Sequence, residues 1–185
     1  MPTLVLGLGN PLMGDDGLGL AALERLDRAW LLPPEVRAID GGTLGLALLP
    51  LLEAAGAVLV LDAIDGGRPP GDLVVLERGA LPRWLAQGTS VHEDGLAQVL
   101  ALSDLRGTLP ERLVAMGLQP SRIAMGEGLS EEVERGLDLL AEAAAERLGA
   151  WGHHLDRRPA RRGVGHEARS LSCGYPFPPL QRTIR

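Results

Sequence analysis

A chain of 185 residues, 45% of them apolar, has the length and composition of one globular domain with a sizeable core. Its one cysteine excludes an intrachain disulfide framework, and no apolar run nears the ~20 residues of a membrane span, so a soluble, cytoplasmic monomer is expected. Arginine supplies every fixed side-chain cation: 11 Arg face 22 Asp and Glu in residues 1–150 and 7 face 2 in residues 151–185, and so acidic a body is a poor match for nucleic-acid phosphates.

Thr3-Leu4-Val5-Leu6 reads as a first strand, and the stretch Leu6 to Gly19, LGLGNPLMGDDGLG, turns it into a helix. Gly7 and Gly9 allow a sharp turn with accessible N–H groups, and Leu18, Leu20, Ala21, Leu23 and Leu26 continue with helical spacing over about 17–30. Pro33-Pro34 stops that helix, and Val36 to Asp40 is a second strand. Asp40-Gly41-Gly42-Thr43 follows, with Thr43 placed to cap a Leu/Ala-rich helix reaching Ala55. Ala57 to Asp62 is a near-continuous apolar run ending on a carboxylate, the pattern of a parallel strand buried on both faces. This alternation gives two right-handed crossovers and a doubly wound sheet, its first three strands in the order 2-1-3.

The next strand, Asp72 to Glu77, begins only about ten residues after Asp62, across a link broken by Gly66, Gly67, Pro69, Pro70 and Gly71; that is too short for a crossover helix and predicts an antiparallel strand. Ser90 and Glu93 have capping-box spacing ahead of a helix carrying Leu96, Val99, Leu100 and Leu102. Leu113 to Met116 is a fifth strand. Ser130 caps a final helix with Glu131 and Glu132 in its first turn and Leu137, Leu140 and Ala144 on one stripe. The expectation is therefore a three-layer α/β/α domain over residues 1–150, with a mostly parallel five-stranded sheet and one antiparallel strand. From Trp151 neither period survives, and residues 151–185 read as a basic, Arg/Pro/Gly-rich, disordered tail.

Asp16 lies just beyond strand one and Asp62 ends strand three. In the order 2-1-3 those ends are neighbours at the switch point where open α/β sheets bind ligands. His92 falls in the first turn of a later helix, where the positive end of the helix dipole disfavours imidazolium and keeps a neutral nitrogen available. Two carboxylates and one imidazole, with coordination positions left open, suit a borderline divalent ion such as nickel or zinc. Plainer roles stand beside this one. Asp62 also fits a turn cap and His92 an ordinary helix start; Asp15 fits a helix-start charge or a support for its neighbour. Asn10, Gly41 and Gly42 fit loop-shaping positions, and Cys173, His153, His154 and His166 fit incidental groups of a solvated tail. No Ser-His-Asp arrangement or H-E-x-x-H helix is visible.

Known patterns sort the Leu6–Gly19 stretch. A dinucleotide fingerprint, G-x-G-x-x-G, would need glycine where Leu12 stands, and an acidic pair occupies the place of the pyrophosphate. GLGNP resembles the opening of peptidyl-tRNA hydrolases, but their Thr-Arg-His-Asn continuation is here Leu-Met-Gly-Asp-Asp-Gly. The whole block resembles the signature of the hydrogenase maturation endopeptidases, G-x-G-N-x-L-x-x-D-[DE]-x-x-G, through Gly7, Gly9, Asn10, Leu12, Asp15, Asp16 and Gly19. Asp40-Gly41-Gly42-Thr43 resembles that family's D-G-G-T loop and Ser90-Val91-His92 its [ST]-x-H, so the likeness covers roughly residues 3–148. It implies a phosphorylase/hydrolase-like α/β/α fold and an endopeptidase that removes the C-terminal extension of a nickel-iron hydrogenase large-subunit precursor after nickel insertion. It further implies that Asp16, Asp62 and His92 contact the nickel carried by that precursor, with Asn10, Asp40, Gly41, Gly42 and Thr43 near the substrate. A noncatalytic nickel-handling or hydrogenase-binding chaperone is the alternative from another class, and a peptidyl-tRNA hydrolase-like esterase a second.

Overall fold

Strand β1 (Thr3–Leu8) lies at the centre of the molecule, with all six residues buried. In the computed structural model, which describes residues 1–85 and 91–159 and leaves aside the side chains of residues 91–94, it is flanked by two parallel neighbours. These are β3 (Val36–Gly42) and β4 (Ala57–Ala63). Beyond β4 come β6 (Arg112–Leu118), parallel, and β5 (Leu73–Glu77), antiparallel, which gives the order β3-β1-β4-β6-β5. The expected 2-1-3 core and the reversed edge strand are both present. β4 is buried at every residue, as its apolar run requires between two helical layers.

Alternation along the strands feeds two cores. Val5, Leu59, Leu61, Val114 and Met116 pack against α1 (Leu18–Ala29) and α5 (Glu131–Ala150) on one face. Leu4, Leu6, Val58, Val60 and Ala115 pack on the other face against α2 (Leu49–Glu53), α3 (Leu81–Leu85) and α4 (Val91–Leu105). This is the three-layer α/β/α sandwich. Arg25 of α1 reaches across the first face to Glu134 and Asp138 of α5, the latter at 2.7 Å. No helix among the described residues is long and apolar enough to cross a membrane.

Three expectations need correction. The helix expected from Thr43 to Ala55 is broken into a 3₁₀ turn at Gly45–Leu48 and the short α2; Thr43 caps neither. Gly45 takes a left-handed φ of 52°, and Pro50, lacking an N–H, is accommodated only in the first turn of α2. The second correction concerns the boundary at residue 150, which falls too early. Trp151 to Arg158 return along the domain, where β7 (Asp156–Arg157) pairs antiparallel with β2 (Trp30–Leu31). Thr3 Oγ1 lies 2.8 Å from His153 Nε2, so that histidine is no solvated tail residue; Arg157 stacks 4.2 Å over the Trp30 ring, and Arg158 pairs with Asp27 at 2.8 Å. Strands of two residues are too short to show a period, which is why the sequence pattern dissolves there. Third, α3 is a helix the sequence did not announce. Ser90, Cys173 and His166 lie outside the described residues.

Arg158 holds this returning segment through its backbone N–H to Ala29 O (2.9 Å) and through its guanidinium to Trp30 O (3.0 Å) and Asp27. Arg158→Ala should therefore lower the unfolding free energy by about 1–2 kcal/mol in urea titrations and open the 151–158 segment to proteolysis.

Candidate active site at the carboxyl edge of the sheet

Glycines bring the signature loop down onto the strand ends. A Cβ on Gly19, in the first turn of α1, would lie 2.2 Å from Leu61 O and 2.4 Å from Leu8 O, so only a bare Cα lets the helix start wedge between the ends of β1 and β4. Gly9 has a φ of 106°, and a Cβ there would stand 1.8 Å from Asp16 O. The chain thus doubles back over itself and presents Asp15–Gly17 as one 3₁₀ turn packed against β4.

Asp16 is 4% exposed in that turn, and its Oδ2 accepts the Asn10 N–H at 2.8 Å. Asn10 in turn accepts Leu12 N–H through Oδ1 at 3.0 Å, so this residue shapes the loop and also orients the carboxylate. Asp62, fully buried near the end of β4, accepts the next backbone N–H, that of Ala63, at 2.7 Å. Its partner across the sheet is Gly117, where a Cβ would fall 1.9 Å from Asp62 O. Two carboxylates thus lie nearly dry on neighbouring elements at the same sheet edge. That is costly unless they meet hydrogen-bond donors or a cation.

The other expected residues fall around this edge. Asp40 pairs in register with Gly7, and the turn beyond it is closed by Leu44 N–H to Gly41 O at 2.9 Å; Asp40 and Thr43 are exposed. Gly42, with φ 40°, accepts Gly9 N–H at 3.1 Å and so ties this loop to the signature loop. His92 is the second residue of α4, and the side chain lies outside the described residues. What is fixed is the backbone approach: a Cβ on Gly95 would come within 2.9 Å of Gly45 Cα, so the start of α4 abuts the loop that follows β3. Among the described residues no group of three or more His, Cys, Asp and Glu could hold a metal ion.

Two arrangements go beyond the sequence reading, which places Asp15 as a helix-start charge or a support for its neighbour and gives Gln119 no role. Asp15 turns away from Asp16 and accepts four hydrogen bonds from the segment between β6 and α5. Gln119 braces the loop that follows Asp62, accepting Gly66 N–H at 2.8 Å and Arg68 N–H at 3.1 Å and donating to Asp65 at 3.1 Å. The partners of Asp15 have no signal in the sequence beyond the capping position of Ser130, and Gln119 has none. An apolar groove of about 690 Å³, lined by Leu81, Leu85, Ala97, Leu100 and Leu113, opens toward the opposite ends of the strands and contains none of these residues.

The sheet order, the reversed edge strand and the two buried carboxylates define an α/β/α protein with acidic side chains at the strand switch point. The sequence model of the HycI hydrogenase maturation proteases matches residues 20–147, and the chain belongs to that family. The hydrogenase expression/formation protein HupD of Rhodobacter capsulatus is 40% identical over 151 residues, spanning 80% of this chain and 72% of that one. The hydrogenase 2 maturation protease of Escherichia coli (strain K12) is 33% identical over 135 residues, 72% of this chain and 82% of that protein. Among solved structures, the hydrogenase maturating endopeptidase HybD from E. coli superposes with a TM-score of 0.81 at 31% identity, over 85% of this chain and 98% of that one.

Because Gly19 meets backbone rather than a flexible side chain, Gly19→Ala should cost about 3 kcal/mol in urea unfolding, whereas Gly128→Ala, with open space around it, should stay within about 0.5 kcal/mol of wild type.

Proposed function

We propose that this chain is a nickel-dependent endopeptidase that removes the C-terminal extension of a nickel-iron hydrogenase large-subunit precursor, and that it recognises the nickel already held by that substrate through Asp16, Asp62 and His92. The observation that carries the reading is the pair of buried carboxylates, Asp16 and Asp62, set on adjoining elements at the switch point of the sheet. The relatives, hydrogenase maturation proteases, supply the substrate class, and the motif resemblance supplies His92 as the third donor. Two oxygens and one nitrogen are an incomplete set for a borderline ion. Such a set holds free metal weakly and gains affinity when thiolates from the substrate complete the sphere. Cleavage becomes conditional on correct loading, and the enzyme needs no nickel of its own. Asp40 and Thr43 are the exposed ends of a loop tied to the signature loop through Gly42, and they are available to the arriving polypeptide.

Incubating the purified chain with nickel-loaded and nickel-free precursor, and following the mass of the large subunit, tests this. Loss of the C-terminal peptide from the loaded form only is the expected result. Asp16→Asn, Asp62→Asn and His92→Ala should each slow it at least about a hundredfold while leaving cooperative unfolding intact. Wild-type rates in these variants refute the site. An intact precursor that stays bound points instead to a holding protein.

A further inference from the structure

Asp15 is a fully buried carboxylate that the proposed nickel grip does not use. Its Oδ2 accepts Ser121 N–H at 2.8 Å, Arg122 N–H at 2.9 Å and the Ser130 hydroxyl at 2.9 Å, and its Oδ1 accepts Ser130 N–H at 2.6 Å. Charge-assisted bonds of this kind are about twice as strong as neutral ones. The same two segments also meet through backbone: Asp15 N–H to Arg122 O at 3.1 Å, Gly126 N–H to Leu12 O at 3.0 Å, and an antiparallel bridge between Gly14 and Ile123.

The far end of this seam is rigid. Ser130 caps α5, accepting Val133 N–H at 3.4 Å while donating to Asp15, and α5 is a 20-residue helix packed on the sheet. The near end is the 3₁₀ turn shared by Asp15 and Asp16. Asp16 is in turn bonded to Asn10 N–H. A chain of contacts therefore runs from the cap of α5 through Asp15 to Asp16 and Asn10.

We propose that Asp15 is a positioning residue: by locking the Asp15–Gly17 turn to the Ser130 cap of α5 and to the 119–130 segment, it sets the Asp16 carboxylate at the carboxyl edge of the sheet and makes the two segments a single wall against which the precursor binds. The link to the precursor rests on the proposed role of Asp16 in substrate recognition; the lock does not.

Amide hydrogen exchange and processing kinetics on the full chain test the two separately. In Asp15→Asn an amide NH₂ replaces the oxygen that accepts Ser130 N–H, so donor faces donor. The Asn10 amide, which has no direct contact with Asp15, should then exchange about tenfold faster, with the amides of β1 and the interior of α5 unchanged. Because recognition contacts act before the chemical step, KM for nickel-loaded precursor, per folded molecule, should rise about fivefold with kcat within about twofold. Ser130→Ala, which removes one of the four bonds and keeps the carboxylate, should move both readouts the same way by less, and it serves if Asp15→Asn does not fold. Faster exchange at Ser121 and Arg122 with Asn10 unchanged in both variants would overturn the proposal, because Asp15 would then tether a segment without fixing Asp16. Faster exchange at Asn10 with KM unchanged would overturn its link to the substrate. Should wild type process no precursor at all, the proposed function fails, and the Asn10 amide alone decides the lock.

Discussion

Backbone pressed on backbone at Gly19 is the constraint on which this site depends. The first turn of α1 reaches the carbonyls of Leu8 and Leu61, the residues that close β1 and lead into Asp62, and no side chain fits between them. That contact joins the helix to two parallel strands at once. It forces the preceding turn to lie on the sheet edge rather than in solvent, and the Asp16 carboxylate goes with it. Gly9 and Gly117 serve the same end from other sides, one letting the loop fold over the Asp16 carbonyl and the other letting β6 close against the Asp62 carbonyl. The glycines of the signature are thus packing residues that determine where two charges are buried.

Burying neighbouring carboxylates requires that they be given different surroundings. A 3₁₀ turn has about three residues per turn, so adjacent side chains point some 120° apart. Asp15 uses that divergence to face the segment ahead of α5, where four donors meet it, while Asp16 faces the strand ends and takes a donor from Asn10. One residue ties the turn to the segment ahead of α5, and the other lies at the strand ends. Gln119 repeats the device on the loop beyond Asp62, where its amide carries three hydrogen bonds.

The chain belongs to the hydrogenase maturation proteases, and the proposed function gives these carboxylates a purpose within that family. On the proposed function, two nearly dry carboxylates meet the cation that offsets the cost of their burial. Under the proposed function the cation arrives with the substrate, which makes an incomplete donor set an advantage: the protein discriminates loaded from unloaded precursor through the metal itself.

The sequence by itself determined the elements that local patterning controls. The apolar run at Ala57–Asp62 declares a doubly buried strand, the broken Gly/Pro link after it declares the antiparallel β5, and Ser130 followed by two glutamates declares the start of α5. The motif spacing likewise singled out Asp16 and Asp62, because the carboxyl edge of a 2-1-3 sheet follows from strand order alone. Only the tertiary structure decided what depends on residues distant in the chain. Asp15 finds its partners more than a hundred residues away, β2 finds β7 across the whole domain, and the helix expected from Thr43 gives way to a 3₁₀ turn where Gly45 meets Gly95 of α4. A periodic pattern reports which face of an element is buried; it carries no record of which distant backbone will arrive to satisfy a buried charge, since that pairing is settled by packing.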